Sequence, residues 1–125
     1  MILDTNALSA FADAEPDIAT HIGKAQRIAI PVIVVGEYLF GIAQSSRRNE
    51  YQRWLNSTLR SCQVLGIDEE TSANYSEVRL GLKRAGTPIP ANDAWIAALC
   101  RQHSLPLLSR DRHFDLVSGI RRLGW

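Results

Sequence analysis

The chain has 125 residues, 46% hydrophobic and 22% charged, with a net charge of +1. These proportions fit one globular domain spanning residues 1–125 and exclude a disordered, collagen-like or disulfide-stapled chain. Its most apolar stretch, Ile28–Val35, is closed by Glu37 and falls short of the roughly 20 residues of a membrane helix. Met1-Ile2-Leu3 meets Asp4 too soon for a secretory signal, so a cytoplasmic protein is expected.

Short apolar strands and amphipathic helices alternate along the chain. Ile2-Leu3 reads as a minimal strand ending at Asp4, with Thr5 or Asn6 as the cap of a helix from Ala7 to about Ala12. Pro16 suits the first position of a second helix reaching about Gln26. Ile28-Ala29-Ile30 is a strand closed by Pro31. From Val32 to Ala43 the β-branched run favours strand, but the length favours helix, with Val32, Gly36, Phe40 and Ala43 on one face. Phe40 and Trp54 are expected in the core. A helix follows over Arg48 to about Leu59, then a strand over Val64–Ile67. Glu69 to Ala85 reads as a long helix stopped by Gly86. After the rigid Thr87-Pro88-Ile89-Pro90 turn comes the most apolar helix, Ala94–Cys100, with Asn92 or Asp93 near its start. Leu105–Ser109 is a further strand, and Ile120–Leu123 a last edge strand. This order predicts an α/β fold with a mainly parallel central sheet, right-handed crossovers and a ligand site at the carboxyl ends of the strands.

The isolated Cys62 and Cys100 form no CxxC pair and read as small buried residues of a reducing compartment. Twelve of the fourteen basic residues are arginine, whose planar fork suits phosphate contacts.

Four acids stand beside apolar sequence without a basic partner one turn away. Asp4 follows the first strand, Glu37 lies in the helix after the second, Asp93 is near the start of the most apolar helix, and Asp111 follows Leu108-Ser109. Two like charges about 4 Å apart repel by roughly 4 kcal/mol at an effective dielectric near 20, so a converged cluster needs protons or a cation. Oxygen donors favour magnesium, manganese or calcium, and no zinc spacing of Cys or His is present. Such a site suits attack of a metal-activated water on a phosphodiester. Asp115 is a possible additional ligand. His113 reads as a surface or packing residue. Arg110 and Arg112 flank Asp111 and are the candidate contacts to a substrate phosphate.

Leu3-Asp4-Thr5-Asn6, Gly36-Glu37-Tyr38, Asn92-Asp93-Ala94-Trp95-Ile96-Ala97-Ala98 and Leu108-Ser109-Arg110-Asp111-Arg112-His113-Phe114 occur in that order. Together they resemble the PIN-domain nucleases, and most of all the VapC toxins of toxin–antitoxin pairs, over essentially the whole chain. The resemblance implies a three-layer α/β/α PIN-like fold and a magnesium- or manganese-dependent endoribonuclease. It carries catalytic and metal-binding roles onto Asp4, Glu37, Asp93 and Asp111, with Asn6 and Ser109 orienting ligands or substrate around them. It further implies an inhibiting VapB-like antitoxin, an RNA substrate and a homodimer. A non-cleaving RNA- or protein-binding module and a housekeeping RNA-processing nuclease stay open beside it.

Overall fold

The computed structural model describes all residues from Met1 to Trp125. In chain order the elements are β1 (Ile2–Leu3), α1 (Thr5–Ala12), α2 (Pro16–Lys24), β2 (Ala29–Pro31), α3 (Val32–Ile42) and α4 (Arg48–Ser61). Then come β3 (Gln63–Leu65), α5 (Glu69–Arg84), α6 (Ala91–His103), β4 (Leu107–Leu108), a 3₁₀ turn (Arg112–Leu116) and β5 (Arg122–Leu123). The five strands form one sheet in the order β3-β2-β1-β4-β5, and every neighbouring pair is parallel. The register pairs Ile2 with Ala29 on one side and with Leu107 on the other.

This order explains the layering. The chain steps outward from β1 through β2 to β3, then crosses back to β4 and continues outward to β5. Right-handed crossovers that advance in opposite directions place their helices on opposite faces of the sheet. Hence α1 packs against α2, α3 and α4, while α5 and α6 pack on each other across the sheet. The reversal falls between β1 and β4, which makes their carboxyl ends the switch point where ligands of such sheets bind.

The three central strands β1, β2 and β4 are fully buried and apolar: Ile2, Leu3, Ala29, Ile30, Leu107 and Leu108 have no solvent exposure. Each continues into a helix, a turn or a cap rather than extending. Helix α6 is the core helix, burying Ala94, Ile96, Ala97, Ala98, Leu99 and Cys100. It begins at Ala91, three residues before the expected start, because Pro90 presets the entry to the helix. Helix α5 starts in a capping box between Asp68 and Thr71, and Gln102 of α6 donates to the same Asp68 carboxylate at 3.1 Å. Gly86, at φ +72°, closes α5 in the left-handed conformation that glycine adopts without a steric penalty.

Two expectations need correction. The first helix is capped neither by Thr5 nor by Asn6 but by Asp4, whose Oδ1 accepts from Ala7 N at 2.8 Å. Phe40 lies outside the core, 85% exposed. Helix α3 is apolar on every side, so its sequence defines faces without saying which one turns inward. The buried face is Val34, Tyr38 and Ile42, and the face of Val32, Gly36, Phe40 and Ala43 is turned to solvent. Trp54 keeps its expected place, packed against the core with its ring edge-on to Phe11 at 5.3 Å. Both cysteines are free thiols, and burial pushes the Cys100 thiol up to about 12.

Candidate active site

The fold brings the four expected acids to one end of the sheet. Asp4 follows β1 directly and is buried, held by its capping bond to α1. Glu37 sits in α3, whose first residue follows the last residue of β2, so one and a half turns of helix carry the carboxylate forward from the strand end. Asp93 lies in the first turn of α6 but does not cap it, because the cap position is Pro90. Asp111 follows β4 and opens the 3₁₀ turn, with its Oδ1 3.5 Å from His113 N.

The acids feel one another. Burial raises the pKa of Asp4 above its ordinary 3.8; the Ser109 hydroxyl and the Ala7 N–H oppose the shift, and the charges of Asp111 and Glu37 add to it. Burial also raises Asp93, where the charge of His113 opposes the shift and Asp111, Glu37 and Asp4 each reinforce it. Desolvation and mutual repulsion therefore act together on the two acids.

Four neighbours organise the cluster. Thr5 Oγ1 donates to Glu37 Oε1 at 2.9 Å, tying the β1 end to α3. Ser109 is fully buried, and its Oγ accepts from Asp111 N at 2.9 Å, which fixes the turn out of β4. Arg122 on β5 donates to the Ser109 carbonyl at 3.0 Å. His113 lies between two of the acids, its Nε2 3.0 Å from Asp93 Oδ2 and its Nδ1 2.9 Å from Asp111 Oδ1. One donor atom from each of Asp93, Asp111 and His113 falls within 4.8 Å of the others, close enough to share an ion. A cleft of about 260 Å³ opens beside Thr5 and Glu37 and runs to Asp13 and Tyr51.

The remaining expected residues behave differently. Asn6 is exposed and its side chain makes no hydrogen bond; its neighbour Thr5 is the residue bonded to Glu37. Asp115 is held by Arg122 through two bonds, Nε to Oδ1 at 2.8 Å and Nη2 to Oδ2 at 2.9 Å, and this pairing lowers its pKa. Its carboxylate is thus satisfied as a structural ion pair and is not drawn into the cluster. Arg110 is tied back: it pairs with Glu15, and its guanidinium lies 4.5 Å from the centre of the Trp125 ring. Arg112 is exposed and forms no ion pair.

His113, Thr5 and Arg122 are the site residues that sequence reading missed. Thr5 carried a signal, being polar and adjacent to Asp4. His113 carried only its place two residues after Asp111.

The dual role of Asp4 gives a testable stability contrast. Its raised pKa means that the folded state holds more protons than the unfolded chain between 3.8 and the higher folded value. Stability contributed by this group therefore falls as pH rises through that window, and the cost persists above it. Asparagine removes the charge and keeps the cap. In chelator at pH 7, Asp4→Asn melts above the wild type, whereas Asp4→Ala is about 1 kcal/mol less stable than Asp4→Asn because the cap is lost. Thermal melts of the three proteins check both signs.

Comparison with known proteins agrees with this architecture. The sequence profile of the PIN domain matches residues 1–120. Ribonuclease VapC4 of Mycobacterium tuberculosis is 30% identical over 93 residues, covering 73% of this chain and 72% of that protein. VapC ribonuclease Y4jK of Sinorhizobium fredii is 29% identical over 130 residues, covering 96% and 93%. Among solved structures, FitAcB from Neisseria gonorrhoeae superposes with a TM-score of 0.86 at 26% identity, covering 98% of this chain and 95% of that one. The DNA-bound VapBC from Salmonella typhimurium shares the fold at a TM-score of 0.89 and 24% identity, covering 99% and 96%. An all-parallel five-stranded sheet, acids gathered at its switch point and this match over nearly the whole length identify the chain as a member of the PIN-domain family of the VapC type.

Proposed function

We propose that this protein is a metal-dependent endoribonuclease, the toxin of a toxin–antitoxin pair, with residues 1–125 acting as one PIN unit in the cytoplasm. The observation that carries the reading is the meeting of Asp4, Glu37, Asp93 and Asp111 at the β1/β4 switch point, where two of the four have raised pKa values. So many partly desolvated carboxylates fit a divalent cation, and their oxygens suit magnesium or manganese. A cation bound there would supply neutralising charge and a more acidic water for hydrolysis of the phosphodiester to a 5′-phosphate and a 3′-hydroxyl.

The chain's own residues supply the positioning. Asp4, Asp93, Asp111 and Glu37 would hold the ion. The Thr5 hydroxyl keeps one Glu37 oxygen engaged and leaves the other free. Ser109 holds the backbone of Asp111. Arg112, exposed beside Asp111 and without an ion-pair partner, is the cation available to an RNA phosphate, whereas Arg110 must first leave Glu15. The cleft beside Glu37 gives the strand a path away from the acids. The partners are an inhibiting antitoxin, as in the toxin–antitoxin complexes of its relatives, and a second copy of the chain.

Induced expression of the chain alone tests the reading, with wild type beside Asp4→Asn and RNA 5′ ends mapped in both cultures. Growth arrest and new 5′-phosphate ends in the wild type only are the expected result. Identical RNA ends in the two cultures contradict it and favour the non-cleaving module.

A further inference from the structure

The site holds one donor that an all-carboxylate cluster does not need. His113 sits in the 3₁₀ turn with its side chain 24% exposed, yet its Nε2 is fully buried and has no hydrogen-bond partner. Asp93 Oδ2 is 3.0 Å away but lies off the N–H direction, so the contact does not satisfy the nitrogen. Leaving a buried polar atom in that state costs roughly 1–3 kcal/mol. Such an atom calls for a partner that the protein itself does not provide.

The spacing indicates which partner. Two adjacent donors on one octahedral ion with bonds of about 2.1 Å are separated by about 3.0 Å. Nε2 and Asp93 Oδ2 have that separation. On the far side of the ring, Asp111 Oδ1 lies 2.9 Å from Nδ1. That contact, too, is an ion-pair approach without an aligned hydrogen bond; with a cation at Nε2, the charge of Asp111 keeps the ring proton on Nδ1. Phe114 fixes the ring from the side, with the two ring centres 4.7 Å apart.

We propose that His113 gives its Nε2 to the cation held by Asp93, with Asp111 orienting the ring, so that the site takes manganese and other first-row transition ions in preference to magnesium. This rests on the metal-dependent reading above and adds a ligand and an ion preference to it. Magnesium demands hard oxygen donors and keeps its waters, whereas transition ions accept imidazole.

The test uses the full chain, stripped with chelator and titrated with Mn²⁺ or Mg²⁺ alone, as wild type and as His113→Gln. Pulsed electron paramagnetic resonance of the Mn²⁺-loaded wild type shows a nitrogen-14 coupling, which His113→Gln loses. Calorimetry shows Mn²⁺ affinity falling about 10–100-fold in the variant, with Mg²⁺ affinity changed by less than about threefold. Bound Mn²⁺ without nitrogen coupling in the wild type overturns the proposal and leaves the nuclease reading standing. Equal losses for both ions also overturn it and make His113 a positioning residue. If the wild type binds neither ion, this proposal and the metal-dependent reading fail together. The wild-type spectrum decides the ligand question even if the variant fails to fold.

Discussion

Asp93→Asn lowers RNA cleavage by on the order of 100- to 1,000-fold while the chain stays folded. The fold does not depend on this carboxylate. Helix α6 starts at Ala91 from a proline cap, and its hold on the sheet comes from Ala94, Ile96, Ala97, Ala98, Leu99 and Cys100. Burial and three neighbouring acids raise the pKa of Asp93, so its charge at neutral pH is a cost to the metal-free protein. Asparagine removes that charge at nearly constant volume, and the melting temperature in chelator stays equal or rises. Catalysis has the opposite dependence, because the charge cancelled by the amide is the one a cation needs; loss of a single group stabilising the transition state typically costs about 10²–10³ in rate. Cleavage assays beside thermal melts separate the two effects, and a variant that is both unfolded and inactive contradicts the argument.

Phe114→Ala costs about 3–5 kcal/mol of stability, the usual range for deleting a buried phenyl ring. Phe114 is the largest of the fully buried side chains, 1% exposed, and sits in the turn that carries Asp111 and His113. Backbone bonds such as Phe114 N to Asp111 O at 3.3 Å and Val117 N to Phe114 O at 3.2 Å, and the Arg122–Asp115 ion pair, also hold this turn, but Phe114 is its one buried side chain. The ring therefore anchors two site residues to the core by a single side chain. Phe114→Leu keeps much of the burial and costs less than about 1.5 kcal/mol. Denaturant unfolding of both variants gives the two values. Equal costs would show that the ring is not the anchor.

What the sequence made legible follows from the range of the interactions involved. The acids could be read because each follows or adjoins an apolar element and lacks a basic partner one helical turn away. The alternation of strands and helices, and hence the parallel sheet, could be read for the same local reason. Asp4 as the cap was obscured by its company: Asp4, Thr5 and Asn6 are all polar, and only the backbone decides which stands just outside the helix. Phe40 went astray because α3 is apolar on every side, so the choice of Val34, Tyr38 and Ile42 as the inner face belongs to the packing and not to the pattern. Arg110 was out of reach for a simpler reason. Its partner Glu15 lies 95 residues earlier, and no local rule links them. Likewise, the approach of His113 to Asp93 exists only once α6 and the 3₁₀ turn are side by side.

Cleavage of RNA by the purified chain in excess chelator, followed by add-back of Mg²⁺ or Mn²⁺ and analysis of the product ends, tests the central claim most directly. Four carboxylates gathered to hold a cation predict no cleavage in chelator, recovery on add-back, and products bearing 5′-phosphate and 3′-hydroxyl ends. Cleavage that persists in chelator, or products ending in a 2′,3′-cyclic phosphate, would contradict it.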